Sequence, residues 1–258
     1  MTILLTAGLV LARVLGLIIS MPVLNSRSIP NLVKACLTLL LTALLTPVVP
    51  PTEASFGIGL LLVSMTSELM LGVLMGGALS LVFASMSIMS GIVSTQIGQA
   101  ASMQFNPTMS FTSTPVGNLA IFLALAIFLG SNSHLVVLEL LAESFYAVPV
   151  DHVVNPINGT KLWLELGSGI FLIALKMSIP MIFLVLLINS FLAILSKIAQ
   201  TMNMFFSVGF IVSIYLGLIL FAFVLPNTLA YNHEVMNEAI LELPKLFDLV
   251  GGDSGRTR

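Results

Sequence analysis

The chain has 258 residues, of which 58% are hydrophobic and only 8% charged, with a net charge of −2. A soluble domain carries about 25% charged residues, so this composition excludes an ordinary water-facing surface and points to an integral helical membrane protein. The charge gives no footing for nucleic acid, and the single cysteine, Cys36, excludes an internal disulfide, a cysteine zinc site and a thiol redox pair.

In chain order, six long apolar segments stand out. The first covers about 3–21 and ends at Pro22. It lacks a basic start and is interrupted by Arg13, so it reads as a retained span rather than a signal peptide. The second, about 31–48, ends in "PVVPP" and holds Cys36, expected as a buried small hydrophobe. The third runs from near Gly57 to about 98, well beyond the ~20 residues a span requires; it must tilt, leave the bilayer or break. Gly72, Gly76, Ser80 and Ala84 recur along it at steps of four, the spacing that lets two helices approach closely. The fourth covers about 116–148 and ends at Pro149. The fifth, about 163–195, contains Lys176 and Pro180, and the sixth, about 203–225, ends at Pro226. Helices are required because backbone polar groups in lipid must satisfy one another. The predicted class is an all-α membrane protein of about six long, partly broken hydrophobic helices in hairpins, plus a C-terminal amphipathic helix.

That last helix is predicted over 231–250, bent near Pro244, ahead of a disordered tail at 251–258. Glu234, Glu238 and Glu242 share one stripe, and Met236, Ile240, Leu243 and Phe247 another. Its acidic face suits water or a partner rather than anionic lipid. Lys and Arg near the spans set the orientation. Arg27, Lys34 and Lys197 fall on one side and Lys161 on the other, which places the turns at 22–30 and 196–202 in the cytoplasm and both termini outside.

No acid–base or metal-binding cluster is evident. His134, His152 and His233 are dispersed, so neither an enzyme, a metal nor a cofactor is expected. His134 reads as a hydrogen-bonded residue at a helix start. Arg13, Glu68 and Lys176 lie inside apolar runs, where each would be costly facing lipid; they are expected to be buried and to serve packing. Sequence alone leaves Glu68 three partners: Arg13, Lys176 or a neighbouring subunit.

Between the third and fourth segments lies "SGIVSTQIGQAASMQFNPTMSFTSTPVGN", residues 90–118, without a single charge. Gly91, Gly98, Pro107 and Pro115 oppose a continuous helix. Irregular backbone at membrane depth survives only inside protein or along a wet cavity. Met103, Phe105, Met109 and Phe111 offer adaptable apolar side chains that could seal such a cavity and part again. The competing reading is an ordinary polar loop.

Several stretches together resemble the FliR/SctT family of type III secretion export-gate subunits. "ARVLGLIISMPVL", "IPNLVKACLTLLLTALLTPVVP" and "SELMLGVLMG" are similar to its opening, and "QIGQAASMQFNP" to its glycine-containing stretch before an Asp-Pro, with Asn106 replacing the Asp. "LLINSFLAILSKIAQTMNMFFSVGF" resembles its late signature, although Gln200-Thr201-Met202 stands where Pro-Gln usually precedes Asn203. The resemblance implies one subunit over 1–258, with 1–150 FliP-like and 163–226 a FliQ-like hairpin. It implies assembly with FliP and FliQ, and contact with FlhB, into a pore for unfolded export substrates in the inner membrane of the flagellar basal body. Parts of such a complex stand outside the plane of the lipid. Its plug would map onto roughly Asn106–Pro115, which includes Pro107, Met109 and Phe111 and adjoins Met103 and Phe105 of the same candidate stopper, and its cytoplasmic partner-contacting turn onto Lys197, Gln200 and Asn203. The alternatives are a virulence-system SctT subunit and a secondary transporter with a midplane site; no internal repeat supports the latter.

Overall fold

The computed structural model describes residues 2–24, 29–50, 57–98, 114–150, 156–198 and 210–251. These form seven helices: α1 (Thr2–Ser20), α2 (Asn31–Leu45), α3 (Ile58–Gln96), α4 (Pro115–Gly130), α5 (Ser133–Ala147), α6 (Pro156–Ile198) and α7 (Phe210–Gly251). The described residues contain no strand, in keeping with the all-α class. Two units can be distinguished, one of Met1–Val82, Phe128–Ser168 and Val235–Arg258, the other of Phe83–Ile127 and Gly169–Glu234.

In the first unit, α1 packs on α2 and meets α3 face to face. Leu9, Val10, Val14 and Leu17 of α1 and Leu71, Met75 and Leu79 of α3 are buried. From Met75 to Leu79 every residue of α3 is buried, as expected of a helix that is apolar all round and surrounded by protein. Val137, Leu141 and Phe145 of α5 join this core. In the second unit, α4 buries Val116, Ala120 and Ala124 on one stripe, and α6 buries Ala174, Met177, Met181 and Val185 on another. Other faces of α6 and α7 expose large apolar side chains, with Phe171, Phe183, Phe191, Tyr215 and Phe223 among them.

Among the described residues four helices are long and apolar enough to cross a membrane, namely α1, α3, α6 and α7; the bent pair α4–α5 makes a fifth if it counts as one span. Each of the six apolar segments forms helix among its described residues, in keeping with about six long, partly broken helices, but they differ in length. α2 has 15 residues, short of the ~20 that a hydrocarbon core requires. The fourth apolar segment is not one helix: it bends by 64° between α4 and α5 at Asn132, whose φ of 58° is left-handed. Asparagine tolerates that conformation better than most residues, so Ser131–Asn132 breaks a run that is continuous in hydropathy. The fifth segment begins earlier than expected, at Pro156, which places Asn158–Thr160 on a helix. The sixth does not end at Pro226. α7 runs through both Pro226 and Pro244 to Gly251, so the amphipathic stretch is its continuation rather than a separate helix. Membrane helices accept such prolines when neighbouring groups satisfy the released carbonyls. The amphipathic pattern itself holds, since Met236, Ile240, Leu243 and Phe247 are buried while Glu234 and Glu238 are exposed.

Candidate functional site

Arg13 and Glu68, 55 residues apart in the sequence, meet in the core of the first unit, each with no solvent exposure. Arg13 Nε donates to Glu68 Oε2 at 2.5 Å and Nη2 to Glu68 Oε1 at 2.9 Å, a bidentate pair. Nη2 also donates to the Val148 carbonyl at 2.8 Å, and Nη1 to Ser144 Oγ at 3.0 Å. The Phe145 ring lies 4.2 Å from the guanidinium carbon, within cation–π range. The guanidinium therefore ties α1 to α3 and to the C-terminal end of α5. That helix end carries partial negative charge, which favours a cation. Of the three partners open to Glu68, the fold selects Arg13.

One turn along α3 from Glu68, the helices touch backbone to backbone. A Cβ on Gly72 would collide with the Arg13 carbonyl oxygen and lie 2.8 Å from the Leu17 nitrogen. A Cβ on Gly16 would collide with the Leu69 carbonyl oxygen and lie 2.9 Å from the Val73 nitrogen, and one on Gly76 would collide with Ser20 Oγ. The predicted small-residue face of α3 thus receives α1 of the same chain. Gly91, further along, has open space around it.

In the second unit, α3 ends within the uncharged stretch. Gly98 adopts φ 87°, the left-handed conformation that commonly terminates a helix. Thr114 caps α4 on the far side, accepting the Gly117 amide at 3.1 Å, with Pro115 at the first helical position. The two ends are joined by a 2.5 Å hydrogen bond between Ser94 and Thr114 hydroxyls. Ser94 Oγ donates to the Ser90 carbonyl at 2.6 Å, so Thr114 is the donor between them. Ile97 is fully buried, and a Cβ on Gly217 of α7 would lie 2.8 Å from its Cγ1. The two ends of the stretch are therefore held together at a neck, and its first end is anchored to α7.

Pro115 opens α4 at that neck, while Met103, Phe105, Asn106, Pro107, Met109 and Phe111 lie outside the described residues. Gln200 and Asn203 also lie outside them; Lys197 is exposed in the last turn of α6. Two expectations are corrected. Lys176 is exposed on α6 rather than buried, because its position falls off the stripe formed by Ala174, Met177 and Met181. Cys36 is exposed on α2 rather than buried, since that helix turns only one face, with Thr38 and Thr42, inward. His134 does stand at the start of α5, but its Nδ1 has no hydrogen-bond partner among the described residues and its ring meets Phe128 edge-on. Among the described residues no group of His, Cys, Asp or Glu could hold a metal ion.

Residues 4–239 match the family described as bacterial export proteins, family 1. The chain belongs to this family. The flagellar biosynthetic protein FliR of Pectobacterium carotovorum subsp. carotovorum is 32% identical over 232 residues, covering 88% of this chain and 86% of that protein. FliR of Escherichia coli (strain K12) is 27% identical over 228 residues, covering 88% and 87%. The Yop proteins translocation protein T of Yersinia pestis is 27% identical over 142 residues, 54% of each chain. As a member of this family the chain is an integral membrane component of bacterial protein export, not an enzyme.

Sequence reasoning singled out Arg13, Glu68 and the glycine spacing, but not Ser144, Phe145 and Val148, which complete the guanidinium's environment. Their only signal is proximity to Pro149, where a helix end was expected. The Ser94–Thr114 neck was equally hidden, since a hydroxyl pair 20 residues apart has no pattern of its own.

Proposed function

We propose that the chain is the FliR-type subunit of a flagellar type III secretion export gate. In the bacterial inner membrane it joins FliP and FliQ subunits, with FlhB nearby, to form the conduit through which unfolded flagellar proteins leave the cytoplasm. The single observation that carries this reading is the pinned neck. The facing ends of two apolar helices are joined by Ser94 and Thr114, Ile97 is held against Gly217, and the sequence between these ends is uncharged and contains proline. Such a stretch can stop a conduit with Met103, Phe105, Met109 and Phe111 and move aside while its neck stays in place. Asn106 and Pro107 lie within the part that moves. The turn at Lys197, Gln200 and Asn203 faces the cytoplasm and meets partner subunits, and both termini face the periplasm.

Similarity along 88% of the chain to flagellar proteins, against 54% for the Yersinia protein, favours the flagellar branch over a virulence system. Purification from its native membrane tests the assignment. A gate subunit comes out with several small, hydrophobic, non-identical proteins. Recovery of the chain as a stable monomer or small homo-oligomer would instead support a secondary transporter.

A further inference from the structure

In the second unit, α6 and α7 border a cavity of about 550 Å³. Met177, Leu184 and Phe223 give it an apolar wall, while Lys176, Asn227 and Tyr231 supply a cation, an amide and a phenol. Lys176 is exposed and makes no ion pair with any described residue. It lies within Gly167–Ile194, the part of α6 that is long and apolar enough to cross a membrane, and a lysine near the end of such a run reaches for the headgroup level.

The flanking sequence shows where the hydrocarbon ends. Met177–Ser196 has no charged residue; at about 20 residues it matches the ~30 Å hydrocarbon core of a bilayer. Lys176 stands at one end and Lys197 at the other. α7 changes character at the same cavity: Ile211–Leu225 is uncharged and mainly apolar, and Asn227, Thr228 and Tyr231 follow Pro226. Tyrosine favours the headgroup level. The backbone agrees. Pro180 has no N–H to give the Lys176 carbonyl, and Pro226 none to give the Ala222 carbonyl, so both helices release a polar carbonyl near this level. A phosphoglycerol headgroup fits a cavity of this size.

We propose that this cavity binds the headgroup of an anionic phospholipid. Its phosphate pairs with Lys176 and accepts hydrogen bonds from Tyr231 and Asn227, and an acyl chain lies along Leu184 and Phe223. The lipid supplies the negative charge that no described residue places beside Lys176. The inference depends on the membrane assignment and not on the gate reading.

Native mass spectrometry of the full-length chain, with whatever subunits accompany it, tests this during titration with phosphatidylglycerol or phosphatidylcholine. Phosphatidylglycerol is expected to be retained about five-fold better, the preference one basic residue near a headgroup supplies. Lys176→Gln should remove the preference, Lys176→Arg keep it and Tyr231→Phe reduce it by a smaller factor, whereas inorganic phosphate should not compete. Equal retention of the two lipids by the unaltered protein would overturn the proposal. So would an undiminished preference in Lys176→Gln or, should that variant fail to fold, in Tyr231→Phe. Loss of a co-purifying subunit from Lys176→Glu, with lipid retention unaltered, would assign Lys176 to a protein carboxylate and also overturn it.

Discussion

The most apolar 18-residue windows of α1 and α3 bury 50% and 61% of their residues within the chain, those of α6 and α7 only 28% and 17%. All four are comparably apolar, so hydropathy does not separate them. What separates them is the kind of residue that interrupts the apolar run. α1 and α3 carry a complementary arginine and glutamate and three glycines at the crossing, and these residues find one another inside the chain. α6 and α7 carry large exposed side chains such as Phe183, Leu187 and Ile219, and Lys176 within the apolar run of α6 has no ion-pair partner among the described residues. One region is finished by its own chain; the other needs lipid or another subunit to cover it.

The largest expected effect comes from opening the finished region. Glu68→Ala leaves Arg13 charged and uncompensated in a dry core, a loss of about 3–5 kcal/mol. Unfolding in detergent should show it, and the double variant Arg13→Met with Glu68→Met should recover much of the loss. Recovery of nothing would mean that the hydrogen bonds from Arg13 to Ser144 and Val148, rather than the ion pair, hold the crossing. Next comes the helix crossing. Gly72→Val should cost about 1–3 kcal/mol through overpacking, while Gly91→Val on the same helix, with open space around it, should stay within about 0.5 kcal/mol. Equal effects would show that helix propensity, not contact, governs both sites. Thr114→Ala removes the cap of α4 and the donor to Ser94, for about 1 kcal/mol, read as a lower melting temperature. The smallest effect belongs to the open region. Phe183→Ala should change the stability of the isolated chain by less than about 0.5 kcal/mol yet weaken co-purification of its partners; a large loss in the isolated chain would show that this face is covered by the chain itself.

The features legible in the sequence are those that violate the apolar background. Arg13, Glu68 and the Gly72–Gly76 spacing were visible because charges and four-residue glycine steps are rare in such a composition. Their pairing was not, because contact between residues 55 apart depends on how α1 crosses α3. Helix ends were harder to read. Pro226 and Pro244 read as a stop and a bend, and α7 runs through both; hydropathy runs unbroken across Ser131–Asn132, where only His134 reads as a helix start, and there the chain bends by 64°. A proline loses one hydrogen bond, which neighbours can replace, whereas a left-handed asparagine redirects the whole chain. Lys176 shows the same limit: its charge was legible, its exposure was not, because burial on α6 is decided by a narrow stripe.

The proposed stopper rests most directly on ion conductance across a planar bilayer containing the purified assembly. With the neck intact and residues Pro107–Phe111 removed, steady conductance should rise well above that of the unaltered assembly, because the conduit loses its closure while α3 and α4 stay joined at Ser94 and Thr114. Conductance that remains at the unaltered level in a correctly assembled complex would contradict the account and leave the stretch an ordinary connecting loop.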